Sequence, residues 1–268
     1  MSVLSAADVD QFVELGWCRL PGACTEAQAA VVRDAVWERM AMRAGIRRED
    51  PSTWPEFYNL EEHLRQPEVV ASFTDRLAAG IEQLEGPGRW AGFRQWGLWP
   101  INFRLGAGQP YAVPSWGWHI DGNWFTHTLD CPRQGLLVIG LFSDVEPGCG
   151  GTLLAQGSHQ RTARILATRA GGMTHQELFQ EVLQEPIGDL VEATGATGDA
   201  LLVHPFLFHT RNMNHSGRIR FMSNTEASLK EPMCFERPGG DYSVLETSIK
   251  RALVASPRRP VVPLQACW

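Results

Sequence analysis

The sequence predicts a mainly β core, a sandwich or barrel of short strands, with helices packed outside it. Three observations carry this. From Trp96 onward the chain breaks into short extended runs separated by glycine and proline, the texture of many short strands. Before that point apolar residues recur at helical spacing behind recognisable caps. The 268 residues, 44 % of them hydrophobic, are enough for one large domain with a substantial core that needs no disulfides.

Taken in order, Ser5-Ala6-Ala7-Asp8 opens a short helix with a side-chain cap and an acid in its first turn; Val9, Phe12 and Val13 form its buried stripe, and Gly16 ends it. Trp17 to Leu20 reads as a strand stopped by Pro21-Gly22. Thr25-Glu26-Ala27-Gln28 is a second capping box, leading a longer helix to about Met42 with Val32, Val36 and Met40 on one face. Pro51 to Tyr58 is irregular and aromatic, a surface loop or one that closes over something. A third helix begins near Pro67-Glu68, carries Val70, Phe73, Leu77, Ile81 and Leu84 at helical spacing, and breaks at Gly86-Pro87-Gly88. Strands are expected over 98–104, 115–120, 135–143, 151–156, 190–193, 200–204, 206–210 and 218–227. One helix, capped by Thr174 with Glu177 three residues on, interrupts them, and another runs from Ser243 to Leu253. No repeat of fixed period appears, and only the proline-bearing tail after Ser256 reads as loosely held.

Charge narrows the partners. A formal charge of -6 argues against nucleic acid or an anionic membrane surface, since both require a basic face. The clusters Arg43/Arg47/Arg48 and Arg258/Arg259 read as solvated surface, and no cradle for the phosphates of a coenzyme A thioester stands out. The six cysteines form no C-x-x-C pair and no zinc spacing, which suits reduced, structural thiols. No apolar run approaches a membrane span, and the first residues lack the pattern of a signal peptide, so the expected location is cytoplasmic.

The chemistry concentrates in Trp116-Gly117-Trp118-His119-Ile120-Asp121-Gly122. On an extended chain alternate side chains share a face, so His119 and Asp121 can converge on one point. A second imidazole is available at the end of the apolar run from Gly198 to His209, where His204 and His209 both qualify. Two neutral imidazoles and one carboxylate on one side of a ferrous ion leave three positions open for oxygen and a chelating co-substrate. Arg218 and Arg220 follow two residues apart, on one strand face, so periodicity does not choose between them.

These residues, with Gly150-Gly151-Thr152-Leu153-Leu154-Ala155-Gln156-Gly157-Ser158-His159 and the Gly198-Asp199 turn, resemble the phytanoyl-CoA dioxygenase family of iron(II)/2-oxoglutarate oxygenases. The resemblance spans about 95 to 228, and the leading helical segment more loosely; its weight lies in all the pieces occurring in order at these spacings. It implies a double-stranded β-helix, the jelly-roll barrel of cupins and oxygenases. On that expectation the chain is one oxygenase domain, with a mostly helical outer layer over 1–90, the jelly-roll core over 95–228 and a C-terminal helix over 243–254. The metal ligands it implies are His119, Asp121 and His209, with His204 left to packing and His215 exposed.

It favours Arg220 as the fork that holds the far carboxylate of 2-oxoglutarate, a task suited to guanidinium because it grips carboxylate bidentately. Some related oxygenases carry a serine or threonine two residues beyond this arginine; here that position is Met222, so a supporting hydroxyl comes from elsewhere or is absent. Asn102 and Arg104 are candidates for the carboxylate at the iron end, with solvent-facing roles as the alternative. In halogenating relatives the ligand carboxylate is replaced by a small residue; Asp121 fills that place, which predicts hydroxylation. The implied cofactors are Fe(II), 2-oxoglutarate and O2, and the products succinate and CO2. Desaturation or ring closure on the same scaffold, and a non-catalytic cupin-like metal binder, are the other readings; an intact Arg220 argues against the binder. Gly157-Ser158-His159 lacks the setting of a nucleophile elbow. His63, His127, His159 and His175 have no partner motif, and of the tryptophans around the metal motif Trp116 or Trp124 is expected to wall a pocket for a small organic molecule.

Overall fold

The computed structural model describes residues 2–254. The expectations for Arg258/Arg259 and for the tail after Ser256 lie outside the described residues. Helix α1 (Ala6–Leu15) and helix α2 (Glu26–Ala44) flank strand β1 (Trp17–Leu20). Both helices open on the capping boxes that the sequence predicts: Ser5 accepts from the Asp8 amide while the Asp8 carboxylate accepts from the Ser5 amide, and Thr25 and Gln28 repeat the exchange. Each cap contributes about 1 kcal/mol to holding its helix end. Val32, Val36 and Met40 of α2 are fully buried.

Two expectations are corrected in the next stretch. Only the start of the aromatic stretch 51–58 is irregular, with a 3-10 turn at Pro51–Thr53; from Phe57 it forms strand β2 (Phe57–Leu64). The third helix is two, α3 (Pro67–Ala71) and α4 (Asp75–Glu85), because Thr74 adopts an extended conformation and caps α4 by accepting from the Leu77 amide. Strand β3 (Trp96–Asn102) follows, and then residues 103–135 hold no helix and only isolated bridges. The strand expected over 115–120 is reduced to one bridge at His119. The remaining elements are β4 (Leu136–Leu141), β5 (Leu153–Ala155), α5 (Ser158–Ala167), α6 (His175–Val182), β6 (Leu190–Glu192), β7 (Ala200–Val203), β8 (His209–Thr210), β9 (Met222–Ala227) and α7 (Val244–Val254). Helix α5 is not among the helices that the sequence predicts; its N-cap is Gly157, which offers no side-chain cap to read.

All strand pairs are antiparallel, in a six-stranded sheet of order β1-β7-β4-β9-β3-β2 and a three-stranded sheet of order β6-β5-β8. The two sheets enclose an inner apolar cluster, to which β4 gives Leu137, Ile139 and Leu141, β7 gives Leu201 and Val203, and β5 gives Leu154. On the other face of the larger sheet Leu136, Val138, Ala200 and Leu202 join a bigger cluster with α1, α2, α4 and α7. This is the expected jelly-roll core with helices packed outside. Buried on both faces, β4 and β7 are apolar at every position except Gly140, and each of their larger side chains contributes about 1.5–3 kcal/mol by leaving water. Gly140 is needed for fit: a Cβ there would stand 2.8 Å from the Trp96 indole, which packs edge-on against Phe142. Among the described residues no helix is long and apolar enough to cross a membrane, and the described cysteines are unbonded.

One buried acid pins the entry of β4. Glu85, at the end of α4, is 1 % exposed, accepts from the Leu136 amide at 2.9 Å, and leaves its second oxygen unpartnered. Burial raises its carboxyl well above the ordinary range, against the pull of the Leu136 amide. The folded chain therefore keeps this proton to higher pH than the unfolded chain does, so stability falls as pH rises from the ordinary carboxylate range toward the raised folded value. Glu85→Gln keeps an acceptor for Leu136 and removes the ionisation. Its melting temperature should exceed that of the wild type by a margin that grows from about pH 5 to about pH 8, as read by thermal denaturation.

Candidate metal centre

Although β8 is only two residues long, it fixes the site. The His209 amide donates to the His119 carbonyl at 2.9 Å and the His119 amide to the His209 carbonyl at 3.0 Å. Such a reciprocal pair makes the two residues direct antiparallel neighbours with side chains on one face, and their ring centroids stand 4.4 Å apart. Each imidazole then uses Nδ1 on the carbonyl two residues behind it, His119 on Gly117 at 2.7 Å and His209 on Leu207 at 3.0 Å. A carbonyl accepts only, so Nδ1 carries the hydrogen and the Nε2 lone pairs are presented together. Gly117 makes this possible, since its left-handed conformation (φ 76°) turns its carbonyl toward the ring and a Cβ would crowd Thr210 Oγ1 at 3.1 Å.

Asp121 completes the set two residues on, as alternation predicts. Its Oδ1 is 3.4 Å from His119 Nε2 and 3.8 Å from His209 Nε2. His209 is 3 % exposed, and its Nε2 has no hydrogen-bond partner among the described residues. Ligand atoms of His119, Asp121 and His209 all lie within 4.8 Å of one another, a group that could hold a metal ion. Donors about 2.1 Å from one ion at right angles stand about 3 Å apart, so the spacing fits with little movement. Burial works against protonation of His119, but the Asp121 carboxylate beside it holds the imidazole above its ordinary value. Asp121 is itself held well below the usual carboxylate range, because the two imidazoles outweigh the effect of its burial.

The two arginines that periodicity left equivalent part company. Arg218 is exposed and ion-paired with Glu146. Arg220 is 1 % exposed, donates to the carbonyls of Gly150 at 2.6 Å and Pro100 at 2.5 Å, and has an unpartnered Nε. Burial lowers its pKa to about 9, which leaves it charged at neutral pH. Asn102 shares a backbone bridge with Arg220, but its amide is engaged elsewhere: Nδ2 donates to the Asn212 carbonyl and Oδ1 accepts from the Leu105 amide. Arg104 is exposed. His204 is buried among aromatic rings, 5.7 Å from Phe12 and 4.7 Å from His159, and His215 is exposed, its Nε2 against the Gly106 carbonyl.

A small recess adjoins the triad, with Asp121, His209, Phe125, Arg133, Leu137 and Glu226 in its wall. Trp124, expected as a wall, is 60 % exposed and rests edge-on against Phe125, which lines the recess in its stead. Trp116 is 53 % exposed. Burial, together with Asp121, pushes the Glu226 carboxyl up to about 7. Neither Glu226 nor Arg211 stood out in the sequence. For Arg211 a signal was available, because it follows His209 by two and so shares its strand face.

By sequence, no curated protein matches this chain. Solved structures of like fold are more numerous. The non-haem alpha-ketoglutarate-dependent carbocyclase SnoK from nogalamycin biosynthesis aligns with a TM-score of 0.56 at 17 % identity, over 97 % of this chain and 94 % of that one. AviO1 from Streptomyces viridochromogenes aligns with a TM-score of 0.52 at 16 % identity, over 87 % and 98 %. EctD from S. alaskensis with bound Fe aligns with a TM-score of 0.51 at 20 % identity, over 88 % and 83 %. At these identities the likeness is one of fold. The sequence profile of the phytanoyl-CoA dioxygenase (PhyH) family matches residues 13–222, most of the chain, and the protein therefore belongs to that family.

Proposed function

We propose that this protein is an iron(II)- and 2-oxoglutarate-dependent dioxygenase that hydroxylates a small organic molecule, a natural-product intermediate among the candidates, with release of succinate and CO2. The observation that carries the reading is a buried, unpartnered His209 Nε2 beside His119 Nε2 and Asp121 Oδ1. A buried polar atom without a partner is costly unless something absent completes it, and two imidazoles with one carboxylate suit ferrous iron with positions to spare. The unpartnered Nε of buried Arg220 extends the argument to a carboxylate. Among proteins of like fold, EctD has been solved with Fe and, separately, with 2-oxoglutarate and 5-hydroxyectoine. The reading takes the chain as one oxygenase domain, with its outer layer over 1–90, core over 95–228 and C-terminal helix over 243–254, working in the cytoplasm.

In this reading His119, Asp121 and His209 would hold the metal, the Nδ1 bonds of the two histidines to the Gly117 and Leu207 carbonyls keeping both Nε2 lone pairs aimed at it. Iron with 2-oxoglutarate and O2 supplies the oxidising power that removes hydrogen from an unactivated carbon. Arg220 grips the far carboxylate of the keto acid as a charged fork. Phe125 and Leu137 offer the substrate apolar contact and limit water, while Glu226 and Arg133 give the same recess polar groups to orient it. Asp121 occupies the place that halogenating relatives leave for chloride, so the oxidised carbon is expected to leave as an alcohol. SnoK is described as a carbocyclase; an unsaturated or cyclised product here would move the protein to that class.

Oxygen- and iron-dependent succinate formation from 2-oxoglutarate is the first test, and its absence with candidate substrates present would favour a metal-binding protein without turnover. His119→Ala, Asp121→Ala and His209→Ala should each lower metal affinity by roughly a hundredfold or more and abolish turnover, since loss of mere supporting bonds already costs about 10–100-fold; calorimetric metal titration on variants of wild-type circular dichroism checks this. Arg220→Ala is expected to raise the 2-oxoglutarate requirement by roughly tenfold or more, the scale of a lost charged hydrogen bond. Arg218→Ala, which removes an exposed pair with Glu146, should leave steady-state kinetics as they were.

A further inference from the structure

2-Oxoglutarate carries two carboxylates, and Arg220 accounts for one. The side chains first expected at the other, Asn102 and Arg104, are respectively engaged with backbone groups and exposed. Arg211 has the properties that place requires. It continues the strand face of Leu207 and His209. Its guanidinium carbon lies 4.5 Å from the Phe57 ring centroid and 5.5 Å from that of Trp116. The Arg220 guanidinium lies 6.0 Å from the same Phe57 ring, so one aromatic side chain backs both cations. Trp116, over which Arg211 sits, directly precedes Gly117, the residue whose carbonyl takes the His119 Nδ1 hydrogen. Arg211 is only half-exposed and, among the described residues, has no ion pair; Arg218 nearby is paired with Glu146. A partly buried cation held on aromatic rings with no acid beside it is set for an anion from outside the chain.

We infer that Arg211 holds the carboxylate adjacent to the 2-oxo group of the co-substrate, while Arg220 holds the distant one; the inference rests on the 2-oxoglutarate reading above. The two arginines then divide one dicarboxylate between them, and a shortened keto acid tells them apart. 2-Oxovalerate keeps the 2-oxo acid end and has no second carboxylate, so it meets Arg211 and gives Arg220 nothing to grip.

The test is an anaerobic titration of the full-length iron(II) protein with 2-oxoglutarate and with 2-oxovalerate, followed by calorimetry and by the absorption of the metal centre, with no turnover involved. Arg211→Gln should weaken both acids by a similar factor, roughly tenfold or more, whereas Arg220→Gln should weaken 2-oxoglutarate and spare 2-oxovalerate. Arg211→Lys, which keeps the charge and loses the fork, should recover only part of the loss. Unchanged affinities in Arg211→Gln overturn the inference, as does a loss confined to 2-oxoglutarate or a full recovery in Arg211→Lys. A wild-type protein that binds iron but neither acid overturns the co-substrate reading itself and the role of Arg211 with it.

Discussion

The site depends on one reciprocal pair of backbone hydrogen bonds, between His119 and His209. Residues 103–135 run without helix or strand, and a segment of that length has a large conformational entropy to lose before any side chain in it can be aimed. The pair with β8 sets where His119 sits and which way its Cβ points, and the sheet supplies the rigidity. The carbonyls of Gly117 and Leu207 then choose the tautomer of each ring. Asp121 needs no further device, because alternation along an extended chain returns its carboxylate to the same face. Three donors are thus oriented largely by main-chain geometry, which tolerates variation in neighbouring side chains better than a side-chain network would.

Charge is partitioned around that point. The chain as a whole is acidic, but two guanidiniums, Arg211 and Arg220, stand over the same Phe57 ring. The recess with Phe125, Leu137 and Glu226 adjoins Asp121. Burying Arg220 without an acid in contact is expensive, and the carbonyls of Gly150 and Pro100 offset part of that cost while leaving Nε without a partner. Arg39 and Arg237 likewise leave Nε unpartnered but are paired with Glu62 and Glu246, whereas Arg220 has no such acid among the described residues. In the proposed reading the cation side receives the keto acid and the recess receives the substrate.

What could be read from the sequence follows the range of the interactions involved. Capping boxes at Ser5, Thr25 and Thr174 are exchanges across three residues, and all three stand where the sequence put them. The apolar runs of β4 and β7 were equally plain, since both faces are buried. Helix α5 escaped because its N-cap, Gly157, makes no side-chain bond. Strand β2 escaped because its two buried residues, Leu60 and Leu64, are spaced by four, and it is the outermost strand of its sheet, where only one ladder holds it. In the site, His119 and Asp121 were legible from their own spacing. The choice of His209 over His204 was not, because it turns on a pairing across ninety residues of chain that only the assembled sheet supplies.

Arg218 and Arg220 make the same point more sharply, since parity gave them one face and the molecule gives them opposite fates. Position along the ladder decides. Arg220 is tied by the backbone bridge to Asn102, where β3 ends, and so enters the core with the sheet. Arg218 stands two residues earlier, in the turn that Asn214 and Ser216 organise, its carbonyl taken by the Asn214 amide and its side chain out in solvent against Glu146. Alternation predicts direction only where a neighbouring strand enforces it. The same rule admits Arg211 to the site: it follows β8 at once, two residues past a histidine whose own direction is fixed by His119, and its alternation is still governed by that pair. The distance from each candidate to its last backbone bridge, as well as its parity, is therefore what separates a row of plausible arginines into one on the surface, one half-buried just past β8 and one buried in the core.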